Sequence, residues 1–152
     1  MEEISTIVFE DDRLKLDVHV DVDKETVWIG IDDMVNLFER DRTVIQKHIR
    51  NILKEKELDM STCVKFAQVQ IEGNREIERT KDLYNLDMAI SVGFRVKSRR
   101  GILFRQWATR VLKEYTLKGV VYNDKRLKQL ERMQEIQVAL KIIYFRGRIV
   151  WI

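Results

Sequence analysis

The chain has 152 residues, 45% of them hydrophobic and 35% charged, with 1 Cys and no Pro. That length suits one domain, or one domain with a tail, and lets a compact fold bury roughly 70% of its unfolded surface without a disulfide or metal staple. A single Cys excludes an internal disulfide and any multi-Cys zinc site, and it fits a cytoplasmic protein. The opening MEEISTIVFEDD is acidic and lacks the basic and apolar regions of a signal peptide. No window reaches the roughly 20 apolar residues that span a bilayer. Average usage would give about 7 Pro, so Pro-rich linkers and tails are excluded as well.

The net charge of +3 hides a split. Residues 1–41 hold 13 acids and 4 bases, whereas residues 42–152 hold 12 acids and 24 bases. A clustered positive field attracts polyanions. The competing reading is two solvated surfaces that neutralise each other within the fold.

The first third reads as strands. TIVFE (6–10) is apolar and β-branched, DDR makes a turn, and Leu14, Leu16, Val18 and Val20 alternate with polar residues. Period two with one apolar face marks a half-buried strand. TVWIG (26–30) follows as a third short strand.

The period then changes to a helical one. Met34, Val35, Leu37 and Phe38 share a face, with Asp32 or Asp33 as the expected N-cap. After the break ERDR (39–42), Ile45, Ile49, Ile52 and Leu53 recur at spacings of three and four. Two short helices joined in this way make a helix-turn-helix candidate. Strands at 64–70 and 75–80 follow, with EGN (72–74) between them as a hairpin turn. A hairpin after such a helix pair has the order of a wing.

Asn85 is the expected cap of a helix over 86–96, and Ser98 of a long helix over 99–118 ending at Gly119. Phe104, Trp107, Ala108, Val111, Leu112 and Tyr115 form one apolar stripe on it, expected in the core. A last helix starts at Asp124. The end, 142–152, is β-branched and aromatic with no helical face, and reads as a tail whose fold the pattern leaves open. The expected architecture is α+β: an N-terminal β-hairpin, a winged helix-turn-helix-like core and C-terminal helices. Residues 1–122 would form the domain, and 123–152 a C-terminal helix and tail.

Two constellations carry chemistry. Between Met88 and Lys113 there are seven bases and no acid. Arg95, Lys97, Arg99, Arg100 and Arg105 crowd a helix–helix junction. Arg suits phosphate because it offers bidentate hydrogen bonds, and each contact releases a counterion. The second is the helix 42–54, where Arg42, Gln46 and Arg50 line one outer ridge, flanked by Thr43 and Lys47. Arg and Gln make bidentate contacts to guanine and adenine edges in the major groove. The two stretches are expected to converge on one exposed cradle, with helix 42–54 on the bases and the junction on the phosphates. The rival is an ordinary amphipathic helix beside a paired or solvated basic face, with the acidic opening hairpin as its partner.

His19 and His48 with Cys63 have no metal-ligand spacing. Cys63 matches no nucleophile pattern, and neither GxGxxG nor GxxxxGK[ST] occurs. No catalytic residue, metal or cofactor is expected.

The segment YNLDMAISVGFRVKSRRGILFRQWATRVLKEYTLKG (84–119) resembles the RhuM family of bacterial proteins, whose pattern is close to YNLDxIISVGYRVxSxRGxxFRxWAxxxLKEYxxKG. NDKRL (123–127) matches the segment that follows, and residues 15–58 resemble the family's TVWLTQxQMAxLFxxxxxTIxxHIxNIxxEgEL pattern. The resemblance covers about residues 3–132. It implies a phage- or mobile-element-type DNA-binding or antirepressor protein, associated with virulence loci. Where the family often has Thr–Gln before its first helix, this chain has Gly30, Ile31, Asp32 and Asp33, and the two Asp repel phosphate there. Family members continue further, so the resemblance implies a truncated or altered end at 139–152. Some relatives lie beside Fic-type domains, but the motif HPFxxGNGR is absent.

The resulting expectation is a DNA-binding module, a transcriptional regulator or antirepressor, with double-stranded DNA as partner. A second copy of the chain and a protein partner are further candidates, and no membrane partner is expected. A protein-interaction module and a DNA-processing enzyme are the alternative functions.

Overall fold

Alternating apolar residues, a pair of amphipathic helices and a Gly-Asn turn assemble into an α+β structure. The computed structural model describes the backbone of residues 6–11, 14–21 and 26–150, and the side chains of residues 26–142. The polar faces of the opening hairpin, its Asp12–Arg13 turn and Trp151–Ile152 therefore lie outside the described residues.

Five antiparallel strands form one sheet in the order β1-β2-β3-β5-β4: β1 (Thr6–Asp11), β2 (Leu14–Asp21), β3 (Thr26–Gly30), β4 (Cys63–Glu72) and β5 (Arg75–Asn85). The helices are α1 (Ile31–Phe38), α2 (Arg42–Lys54), α3 (Leu86–Arg95), α4 (Arg99–Lys118) and α5 (Asp124–Val150). The chain divides into two compact units, residues 1–112 and 113–152.

In the first unit, α1 and α2 lie between β3 and β4, and α3 follows β5 directly. Their apolar faces meet in one core. Ile29 from β3, Met34, Leu37 and Phe38 from α1, Ile45 and Ile52 from α2, and Met88 and Val92 from α3 are all nearly inaccessible. Phe104 of α4 closes that core, edge-on to Phe38 with ring centroids 5.6 Å apart.

Local signals fix the ends of these elements. The Asn85 carboxamide accepts from the Met88 N–H at 3.0 Å, as a cap should. Ser98 Oγ accepts from the Gly101 N–H at 2.9 Å and donates to the Phe38 carbonyl at 2.6 Å, so it starts α4 and ties it to the end of α1. Gly73 supplies the positive φ of +64° that the two-residue turn between β4 and β5 demands. At α1 the cap differs from expectation. Gly30 holds the N-cap position, and Asp33 reaches back from the first turn to accept the Gly30 N–H at 3.1 Å. The helix follows β3 so closely that no acidic residue is left in the cap position.

In the second unit, Gly119 ends α4 at φ +76°, and the Asn123 carboxamide accepts from the Arg126 N–H at the start of α5. The tail that the pattern leaves open continues α5 as helix through residue 150. Each Ile or Val costs a helix only about 0.5 kcal/mol, and extending an existing helix avoids the cost of nucleation. One expectation fails: the apolar stripe of α4 is core only as far as Ala108; Leu112 and Tyr115 are exposed, and Trp107 is partly so, tilted against Phe104. The core-facing side of α4 is Arg100, Gly101, Phe104 and Ala108, and its last residues already belong to the second unit. No helix among the described residues is long and apolar enough to cross a membrane.

Candidate nucleic-acid interface

Helix α2 stands on the core through Ile45, Ile49 and Ile52, and this orientation turns its other face outward. Arg42, Thr43, Gln46, Lys47 and Arg50 are all exposed on that face. Arg42 Nη1 meets Asp32 Oδ1 of α1 at 2.8 Å, with side chains 57% and 65% exposed. An ion pair that open contributes about 0–1 kcal/mol, so a phosphate can displace Asp32 at little cost.

The basic run at the α3–α4 junction behaves differently. Arg95 Nη2 reaches Glu55 at 2.7 Å and Glu57 at 2.5 Å, both just beyond the end of α2. This pairing holds the Glu55 carboxyl below the usual carboxylate range and raises the Arg95 pKa. Arg100 is buried and its Nε lies 3.1 Å from Glu39. Arg105 Nη1 donates to the carbonyls of Val96 at 2.7 Å and Gly93 at 3.2 Å, at the C-terminal end of α3. Lys97 and Arg99 remain exposed, and Arg40 donates to the Lys97 carbonyl beside the α1–α2 turn.

Of the five junction bases expected in one cradle with α2, Arg95, Arg100 and Arg105 have partners within the fold, because the end of α3 presents carbonyls and the ends of α1 and α2 present carboxylates. Two of the seven bases in residues 88–113, Arg95 and Arg100, meet acids from elsewhere in the chain, Glu55 and Glu57 for the first and Glu39 for the second. A sequence signal existed: two acids after the C-terminus of a helix oppose its dipole unless a cation meets them.

A different surface adjoins α2. Arg42 and Gln46 share a cleft of about 440 Å³ with Gln68 and Gln70 of β4 and Arg79, Thr80 and Lys81 of β5. Asp32 and Asp82 also line it. Lys81 lies across Gly30, where an added Cβ would sit 2.8 Å from its Cε, so the glycine makes room for the lysine stem. The hairpin residues were not singled out from sequence, since their common side follows only from the register.

His48 of α2 is half-buried within reach of the charges of Arg95, Lys47 and Arg40. Burial lowers its pKa first, and Arg95, Lys47 and Arg40 lower it further. The unfolded chain therefore takes up this proton before the folded one does. Stability should fall as pH drops below 6.5, the ordinary value, and level off once the depressed value is passed. His48→Gln should flatten that limb of a Tm-against-pH curve; identical curves for the two proteins would show that the imidazole stays solvated. Burial pushes the Cys63 thiol up, and Asp82 adds to the effect, so the sulfur stays protonated. Among the described residues no group of three or more His, Cys, Asp or Glu could hold a metal ion.

Residues 61–145 match the family model described as the Virulence protein RhuM family, which is more than half of the chain. The chain belongs to the RhuM family. The part shared with RhuM proteins runs from the hairpin β4–β5 through α3 and α4 into α5, and α1 and α2 lie outside it. No curated protein and no solved structure matches the chain.

Proposed function

We propose that this RhuM protein binds double-stranded DNA through α2, as a regulatory or antirepressor-type binding module rather than a catalyst. The observation that carries the reading is the exposed ridge Arg42, Thr43, Gln46, Lys47 and Arg50, held on a helix whose opposite face is locked into the core. The order α1, α2, hairpin supports it, being that of a winged helix-turn-helix. In this reading the N-terminal residues of α2 face base edges, Gln46 suiting adenine and Arg42 guanine. Lys47, Arg50, Lys97 and Arg99 take phosphates.

Fluorescence anisotropy with a mixed-sequence duplex should give binding in the micromolar range or tighter at low salt, weakening steeply between 50 and 200 mM salt on the order expected for several phosphate contacts. Gln46→Ala should alter the preference among duplexes selected from a random pool while leaving affinity for the unselected pool nearly intact. Absence of binding at micromolar protein in 50 mM salt, a condition taken from the same salt range, would reject the reading.

A further inference from the structure

The hairpin β4–β5 has two chemically different faces. Its register is unbroken from Cys63↔Tyr84 to Glu72↔Arg75. Side chains alternate between faces along each strand, and residues directly opposite one another share a face. Toward its tip, one face therefore carries Gln68, Gln70, Arg75 and Arg79, with Glu72, and the other Val69, Ile71, Glu76 and Glu78; nearer the base the first also holds Phe66 and Lys81, and the second Lys65, Thr80 and Asp82. All of these side chains are exposed.

Gln68, Gln70, Arg79 and Lys81 of the amide and arginine face line the cleft with Arg42 and Gln46, and near the base of the hairpin Thr80, Asp82 and Tyr84 of the other face also reach it, so the arginine end of the first face borders α2. We propose that this face is a second DNA-contacting surface, so that α2 and the hairpin grip one phosphodiester strand of the duplex between them. Arg75 and Arg79 take phosphates, and the Gln68 and Gln70 carboxamides donate to phosphate or sugar oxygens. The inference rests on the DNA-binding reading of α2 and adds to it the side of the hairpin that faces the duplex. Arg79 Nη2 now lies 2.5 Å from Glu72, with side chains 60% and 50% exposed. A pair so open gives way to a phosphate at small cost. The opposite face could not serve in the same way, because Glu76 and Glu78 would repel the strand.

The test compares the full chain with two double variants, R75A/R79A and E76Q/E78Q, one for each face. Each is first shown to be folded by its circular-dichroism melt. Binding to a mixed-sequence duplex is then followed by anisotropy as salt is raised. R75A/R79A is expected to reduce the slope of log K against log salt by about 2, at roughly 0.9 per lost phosphate contact, and to weaken all sequences alike. E76Q/E78Q should not reduce it. Arg79→Gln alone should give about half the change, and it serves as the readout if the double variant fails to fold. If the parent protein binds and the arginine variants keep its slope, or if both faces respond alike, the hairpin assignment is overturned while α2 stands. If the parent protein itself does not bind, the underlying reading fails and takes this one with it.

Discussion

Phe104→Ala should lower the stability of the first unit by about 4 kcal/mol, the usual range for removing a buried aromatic ring. The ring is 2% exposed and sits where three elements meet. It is edge-on to Phe38 of α1 and to Phe94 of α3, at 5.6 and 5.9 Å between centroids. Below it is Gly93, where an added Cβ would lie 2.4 Å from Phe104 Cε1. That approach is closer than real carbon atoms tolerate, so Gly93→Ala alone forces the ring to move and should cost about 2 kcal/mol. In the double variant the new methyl enters space the ring has left. The two losses should then fall short of additivity by about 1–2 kcal/mol. Urea unfolding of the parent, the two single variants and the double variant measures this. Strict additivity would mean that Gly93→Ala destabilises through some contact other than the ring above it.

Phe104 illustrates what could be read in advance, whereas its close approach to Gly93 could not be. Helix faces were legible because the information is local: Ile45, Ile49 and Ile52 repeat within one helix, and Asn85, Ser98 and Gly119 cap helices a few residues away. The outward ridge of α2 followed from the same periodicity. The junction arginines were not legible in this way. The partners of Arg95 are 38 and 40 residues distant, and that of Arg100 is 61 residues distant. A run of bases looks the same in one dimension whether it faces solvent or another element's carboxylates. The cleft was missed for a related reason. Gln68 and Arg79 become neighbours only through the turn at Gly73, which places them opposite each other in the ladder. The stripe on α4 was over-read, since periodicity shows which side of a helix is apolar but not how far along it the core extends.

The same distinction between internal and outward cations gives the second large effect. Arg105→Ala should destabilise the first unit by about 2 kcal/mol, because its guanidinium satisfies two carbonyls at the end of α3 and charge-assisted bonds of this kind contribute about 1.5–3 kcal/mol. Arg50→Ala, on the exposed ridge, should change stability by no more than about 0.5 kcal/mol. On DNA the order should reverse. Arg50→Ala should reduce the salt slope by about 1, whereas Arg105→Ala, measured where it is still folded, should leave the slope unchanged. Arg100→Ala belongs with Arg105→Ala, since its side chain is only 9% exposed and faces Glu39. Urea unfolding and salt-dependent anisotropy on the same three variants separate the roles. A loss of salt slope in Arg105→Ala without a loss of stability would return the junction to the DNA surface, and would mean that the α3 carbonyls hold Arg105 too weakly to keep it from a phosphate.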